Sequence, residues 1–354
     1  MKHNKYEGCS RAFYFCKKEL NYWKTVLTAM KRYSFGKQNK NKKFLILTGH
    51  DKNCGIYSTI FHLLPFMEWA RKRNYIPIID FTKSNLPWIQ DEKKRRRENS
   101  WEYYYKQPSE EISVAEVYQS KNVRVLEKYY VMKTAPRWND IMPSSEEELK
   151  RWAGIIERNI HLSDGLAERV KIEKRKIFKD TNKVLGVGIR AGYRYGMMKN
   201  YSLFNKHPKC ATCEEYIAIV EQKMDEWNCD AIFLATDDRE YWEKFIKYFG
   251  TKCRYIDRKL YHHFKDDNAV ESLTELFTEF GGIRTGTRKK NEDYIVETHI
   301  LAQCDALYAG IGGGTEFAYF MNGGRYENIE IYNEGIYKGL GSKEHNTSER
   351  KKQK

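Results

Sequence analysis

Phe44-Leu45-Ile46-Leu47, then Thr48-Gly49-His50-Asp51-Lys52-Asn53-Cys54-Gly55, then Ile56, Ile60, Leu63, Leu64, Met67 and Ala70, and last Ile76-Pro77-Ile78-Ile79-Asp80-Phe81: this run decides the fold. An unbroken apolar stretch bounded by turn signals forms a buried strand. The polar loop with its two glycines turns the chain. The six apolar positions that follow recur at helical spacing, and the second apolar stretch forms another strand. Strand, loop, helix and strand in that order make a βαβ unit, which predicts a parallel sheet with helices packed on it.

Working outward, residues 10–35 are aromatic-rich and predict a helical lead-in, and Lys37 to Lys43 a basic linker. Residues 82–143 are irregular, aromatic and charged, the pattern of a large loop region. Glu146 to Lys176 predicts one helix, started by Ser144-Ser145-Glu146-Glu147 and carrying Leu149, Trp152, Ile155 and Ile156 inward. A second α/β series begins near residue 183. Its strands are Val184 to Ile189, Ala231 to Ala235, Arg254 to Ile256 and Ala306 to Ala309. Its helices are Ala211 to Trp227, Glu240 to Phe249, Tyr294 to Cys304 and one starting at Glu316. Thr212 and Glu215 have capping-box spacing at the first of these. The expected organisation is therefore a basic lead-in over 1–43, a first α/β domain over 44–176, a second α/β domain over 177–340, and a disordered tail over 341–354.

The chain has 354 residues, enough for two domains, and 41% of them are apolar, as in globular proteins. It contains no apolar run of about 18 residues, and its first residues lack an apolar leader core, so the expected location is the cytoplasm. The net charge of +15 attracts polyanions, and its densest runs lie near both ends and at Lys93-Lys94-Arg95-Arg96-Arg97. No nucleic-acid-binding signature accompanies it. Peripheral contact with the anionic inner face of a membrane fits the charge at least as well, and a plainly solvated basic surface is the alternative. Among the eight cysteines only Cys210 and Cys213 form a C-x-x-C. With His207 as sole neighbour they make a poor tetrahedral cage, so no metal site is expected and the cysteines are read as reduced thiols.

In open α/β sheets ligands bind beyond the carboxyl ends of strands. Three such loops stand out in the second half. Gly188-Ile189-Arg190-Ala191-Gly192-Tyr193-Arg194 offers guanidinium groups that can grip a phosphate. Thr236-Asp237-Asp238 offers acids for base or ribose hydrogens. Gly310-Ile311-Gly312-Gly313-Gly314-Thr315 offers free N–H groups at a helix start for a diphosphate. Each has a plainer reading as well: a structural arginine, a helix cap and a tight turn. Together they describe a nucleotide-diphosphate cleft whose charge Arg190 and a helix N-terminus balance without a divalent metal.

Val184 to Arg190, His207-Pro208, Asp230 to Asp238, His299 to Asp305 and Gly310 to Thr315 resemble, in that order, the bacterial relatives of the α-1,6-fucosyltransferases, nodulation fucosyltransferases and protein O-fucosyltransferases. Gly55 to Asp80 and Asn99 to Tyr105 are similar as well, so the resemblance spans about residues 44–335. It implies an inverting, metal-independent glycosyltransferase of the GT-B fold, two Rossmann-like domains facing a central cleft. The donor implied is a GDP-sugar, GDP-fucose foremost, with no further cofactor. Arg190 would bind the β-phosphate, Asp237 or Asp238 the guanine or ribose, and Gly312, Gly313, Gly314 and Thr315 the diphosphate. A glycan acceptor, lipid-linked or part of a surface polysaccharide, would lie near His50 to Gly55.

The chain departs from the family pattern at Gly188, where histidine is common, at Ala191, where a second arginine occurs, and at Tyr193, where an acid occurs. Arg194 is placed to supply the missing charge. An inverting transfer needs a base for the acceptor hydroxyl. His50 and Asp51 are the candidates, and Glu316 is a third that a helix start would favour in any case. The alternative function is a non-catalytic nucleotide-sugar- or glycan-binding protein on the same fold.

Overall fold

Two mainly parallel sheets carry the fold, one in each half of the chain. The structure, a computed structural model, describes residues 28, 30–48, 55–84, 97–126, 145–190, 208–260 and 287–335. The chain divides into one unit of Met1–Ala167 with Gly281–Asn291 and a second of Glu168–Phe280 with Glu292–Lys354.

The first unit contains β1 (Met30–Tyr33), β2 (Phe44–Thr48), α1 (Ile56–Arg71), β3 (Ile76–Asp80), α2 (Val114–Val117), β4 (Val123–Leu126) and α3 (Glu146–Asn159). The strand order is β1-β4-β2-β3. β2 runs parallel to both neighbours, and among the described strands of this sheet only β1 is antiparallel. Phe44 to Leu47 are fully buried, as an unbroken apolar strand must be when both sheet faces are covered. Phe44, Ile46 and Ile78 pack with Val117, Val123 and Val125. β3 is an edge strand, and two side-chain amides close its edge. Asn99 accepts from the Phe81 N–H and donates to the Ile79 carbonyl, at 2.9 and 2.7 Å. Gln107 accepts from the Ile79 N–H and donates to the same carbonyl, at 2.9 and 2.8 Å. An edge so occupied offers no ladder to another chain.

Three local expectations need correction. Met30–Tyr33 is a strand rather than the end of a helical lead-in, because it finds a partner in β4. β4 itself lies inside the stretch expected to be loop, and it sits between β1 and β2. It has four residues and Arg124 interrupts its apolar run, so no sequence window marks it. The helix expected over Glu146 to Lys176 is two helices, α3 and α4 (Asp164–Ile177). Between them the backbone pairs instead with Tyr104 to Lys106: Lys106 N–H donates to His161 and Ser163 N–H to Tyr104, at 2.8 and 2.9 Å.

The second unit contains most of α4, then β5 (Val184–Gly188), α5 (Cys213–Glu226), β6 (Ala231–Ala235), α6 (Arg239–Phe249), β7 (Cys253–Arg254), most of α7 (Thr287–Leu301), β8 (Ala306–Gly310), α8 (Gly313–Asn322) and β9 (Asn328–Tyr332). Its sheet is parallel throughout, in the order β7-β6-β5-β8-β9. The α/β class expected from the sequence is therefore the class observed. The capping box at α5 forms as its spacing predicts. Thr212 accepts from Glu215 N–H at 3.2 Å and Glu215 accepts from Thr212 N–H at 2.7 Å. Inside, Tyr216 meets Tyr241, Tyr308 and Tyr332 ring to ring over Leu185, Val187, Ile232 and Phe245. α7 begins at Thr287 rather than Tyr294, and β9 was not anticipated, being an edge strand with no fully buried residue. Among the described residues no helix is long and apolar enough to cross a membrane.

Candidate functional site

The order of the second sheet creates one switch point. From β5 the chain moves to β6 and β7 on one side, and then to β8 and β9 on the other. Connections therefore diverge from the carboxyl ends of β5 and β8, the position at which open α/β sheets form a ligand crevice. Gly188 ends β5, and Ile189 N–H extends the strand by donating to the Ala235 carbonyl at 2.9 Å. The next residue, Arg190, is half-buried. On the other side of the switch point Gly310 ends β8, and Gly312 in extended conformation starts α8. A methyl at Gly312 would stand 3.7 Å from Arg190 Cδ, so the guanidinium stem lies against the glycine loop.

No side chain caps α8, although nearly every other helix with a described start has a cap. Its first-turn N–H groups, at Gly313, Gly314 and Thr315, belong to the positive end of a helix dipole. Thr315 is turned away from capping, because its hydroxyl donates back to the Gly310 carbonyl at 2.8 Å. Glu316 is buried in the same turn, with 1% of its surface exposed, which places it in the wall rather than on the surface.

Tyr294 on α7 ties the two sides together. Arg190 Nη1 donates to the Tyr294 hydroxyl at 3.4 Å, and the guanidinium lies 5.9 Å from the ring centre. A Cβ at Gly314 would come within 2.5 Å of the same hydroxyl, so only glycine admits the ring at the helix start. Tyr294 escaped the sequence reading because a tyrosine on an apolar helix reads as core.

At the end of β6, Asp238 is fully buried and caps α6, accepting from Tyr241 N–H at 2.9 Å. Asp237 is half-buried beside it. Next to them is a buried ionic network that sequence reasoning also missed. Arg258 donates to Glu297 of α7, and the two are 5% and 4% exposed. Arg169 of α4 donates to Asp293 of α7 at 2.6 Å and to the Asp257 carbonyl at 3.3 Å. Its one visible signal is the pair Asp293 and Glu297, four apart among the apolar residues of α7, and thus on one helix face.

Burial pushes the Glu297 carboxyl up to about 8; Arg258 opposes the shift, while Asp237 and Asp293 add to it. The folded chain thus holds a proton on Glu297 where the unfolded chain has lost it. This group makes stability fall as pH rises from 4.5 toward about 8. The Glu297→Gln variant lacks that dependence. In thermal melts from about pH 5 to about pH 9 the wild-type advantage over Glu297→Gln is expected to shrink as pH rises. A constant difference across that range would show that Glu297 titrates alike in both states.

Of the residues expected at the site, Arg190, Gly312, Gly313, Gly314 and Thr315 come together at the switch point, and Asp237 and Asp238 stand at the next strand end. His50, Asp51, Arg194 and His207 lie outside the described residues. Cys210 is half-buried, and burial pushes the Cys213 thiol up to about 12, so Cys213 is a neutral thiol at neutral pH. Among the described residues no three His, Cys, Asp or Glu side chains gather as metal ligands would.

The fold defines a doubly wound α/β unit whose switch point sets Arg190 beside an uncapped, glycine-lined helix start. No family model matches this sequence, and no curated protein sequence matches it either. Among solved structures the chain is similar to the fucosyltransferase NodZ from Bradyrhizobium, at 13% identity and TM-score 0.43 over 78% of this chain and 92% of that one. It is similar to Arabidopsis thaliana FUT1 solved with GDP, at 10% identity and TM-score 0.43 over 90% and 74%. A third is POFUT1 in complex with GDP-fucose, at 10% identity and TM-score 0.31 over 82% and 74%. At this level the likeness assigns no residue a role.

Proposed function

We propose that this protein is a nucleotide-sugar-dependent glycosyltransferase of GT-B type that moves fucose from GDP-fucose to a glycan with inversion. One observation carries the reading: Arg190 and the uncapped, glycine-lined start of α8 face each other across the switch point of the second sheet. A diphosphate there receives a bidentate cation on one side and convergent N–H groups on the other. We assign the hydrogens of the base or ribose to Asp237, half-buried at the neighbouring strand end, because Asp238 is committed to its helix cap. The choice of guanine and fucose is supported by the sequence resemblance.

In the reaction an acceptor hydroxyl attacks the anomeric carbon as the bond from that carbon to the β-phosphate oxygen breaks. The electron pair stays on the phosphate, where Arg190 and the α8 N–H groups stabilise the growing charge. The hydroxyl proton passes to a base, and His50 and Asp51 are the sequence candidates. The charge balance asks for no divalent cation.

The test is a thermal-melt titration with GDP, UDP and GDP-fucose in the absence of added metal. At a hundredfold excess over Kd, a ligand that binds only the folded state stabilises by about 2.7 kcal/mol, a rise of roughly 5–10 °C. GDP and GDP-fucose are expected to give that rise and UDP is not. A response to UDP alone overturns the donor assignment. Binding of GDP-fucose with no release of GDP across a panel of glycan acceptors favours the non-catalytic binding protein.

A further inference from the structure

The end of the first sheet at which β2 and β3 begin is a cationic face. Residues 30–43 contain Lys31, Arg32, Lys37, Lys40, Lys42 and Lys43 and no acid. The turn they form is locked to the residues before β4. Lys121 N–H donates to the Gln38 carbonyl at 3.0 Å, Asn122 donates to the Lys40 carbonyl at 2.6 Å, and Asn39 donates to Ser120 Oγ at 2.9 Å. Lys37, Lys40, Lys43 and Lys121 are all exposed there. A second set stands on aromatic rings at the same end. Lys43 and Arg124 lie 5.8 and 5.9 Å from the Tyr75 ring, and Arg73 lies 4.8 Å from Trp69. The acids nearby are few and engaged: Glu111 pairs with Lys42, Glu68 with Lys72 and Arg158, and Glu116 closes the cap of α2. Beside Lys37 the Phe35 ring is 38% exposed, stacked at 5.0 Å on Tyr33.

From this face we infer that the first unit docks on an anionic phospholipid surface. Lysines dominate it, and as compact point charges they suit a plane of headgroup charge better than the paired oxygens of one bound phosphate. An exposed aromatic ring among them belongs at headgroup depth, where rings are enriched. The cations sit on strand ends and tight turns, so the face projects no helix or ribbon into a duplex groove. Docking of this kind is independent of the reaction assigned to the second unit.

The experiment is sedimentation of the full chain with vesicles of phosphatidylcholine alone and with a third of phosphatidylserine added. Binding is expected only to the anionic vesicles, and it should weaken with salt. Each cation removed lowers partition about fivefold, so Lys37→Gln, Lys40→Gln and Lys121→Gln together lower it roughly a hundredfold. The same net change placed on the exposed Lys174, Lys179 and Lys252 of the second unit is expected to have little effect. Phe35→Ser is expected to remove most of the binding that survives high salt. No binding to anionic vesicles, or equal loss in both triple variants, overturns the proposal. Tighter binding to duplex DNA than to vesicles at equal salt, lost in the first triple variant, also overturns it in favour of a nucleic acid. Unchanged melting temperatures show that the variants remain folded.

Discussion

Arg190→Ala is expected to lower sugar transfer from GDP-fucose by a hundred- to a thousandfold, the usual loss when one preorganised donor to a developing anion is removed. The effect should fall on kcat as well as on donor binding, because the phosphate gains charge as the sugar departs. Arg190→Lys is expected to recover only part of it. A lysine restores the charge but not the planar fork, and its ammonium has no second N–H to share with Tyr294 in the same plane. Tyr294→Phe separates positioning from chemistry. It removes the hydroxyl that accepts from Arg190 at 3.4 Å but keeps the ring that fills the space at Gly314. A hydrogen bond from a charged donor is worth about 1.5 kcal/mol at the weak end of its range, which suits a 3.4 Å contact, so the loss should be about tenfold and lie mainly in the donor KM. Arg190→Ala with unaltered donor turnover would remove the guanidinium from the phosphate site.

Arg258→Met is expected to destabilise the second unit by roughly 3–5 kcal/mol, a fall in melting temperature on the order of 10 °C. Arg258 and Glu297 are almost wholly buried together, so removing the guanidinium leaves the buried carboxyl without its cation and the hydrogen bond to it, with Asp237 and Asp293 nearby. The second substitution, Glu297→Leu, made in the same chain, is expected to recover much of the loss, since a buried ion pair replaced by apolar groups of like volume is often neutral. The deficit of Arg258→Met alone should also grow as pH rises above about 8, where the wild-type carboxyl ionises against Arg258 and the variant's is held neutral by burial. Chemical denaturation of the single and double variants checks both points. A double variant as unstable as the single one would mean that Arg258 acts through other contacts.

The two predictions draw on residues that differ in how visible they are along the chain. Arg190 and the glycine loop were legible because each follows an apolar run that can only be a buried strand, and the end of a parallel strand is a place for ligands. Arg258, Glu297 and Tyr294 were not, because their meaning comes from partners 39 and 104 residues away. The same contrast holds in the first unit. β2 and β3 announce themselves by continuous burial, whereas β1 and β4 are four-residue strands whose charged positions mask them until they pair with one another. The break between α3 and α4 has the same origin: Ile160 to Ser163 would continue a helix on local preference, and the backbone of Tyr104 to Lys106 offers a better set of partners.

The sequence by itself determined the α/β class, the strand–helix alternation of both halves and the three strand-end loops. Each is written in short-range pattern, where apolar period and turn chemistry act within a few residues. Only the tertiary structure decided the strand order that puts β8 beside β5, and with it the switch point that brings Arg190 over the glycine loop. It also decided which of two adjacent aspartates is a helix cap, and that an ionic network is sealed beneath the other. Strand order and burial depend on which distant segments compete successfully for the same edge and the same apolar face, and that competition leaves no local mark in the chain.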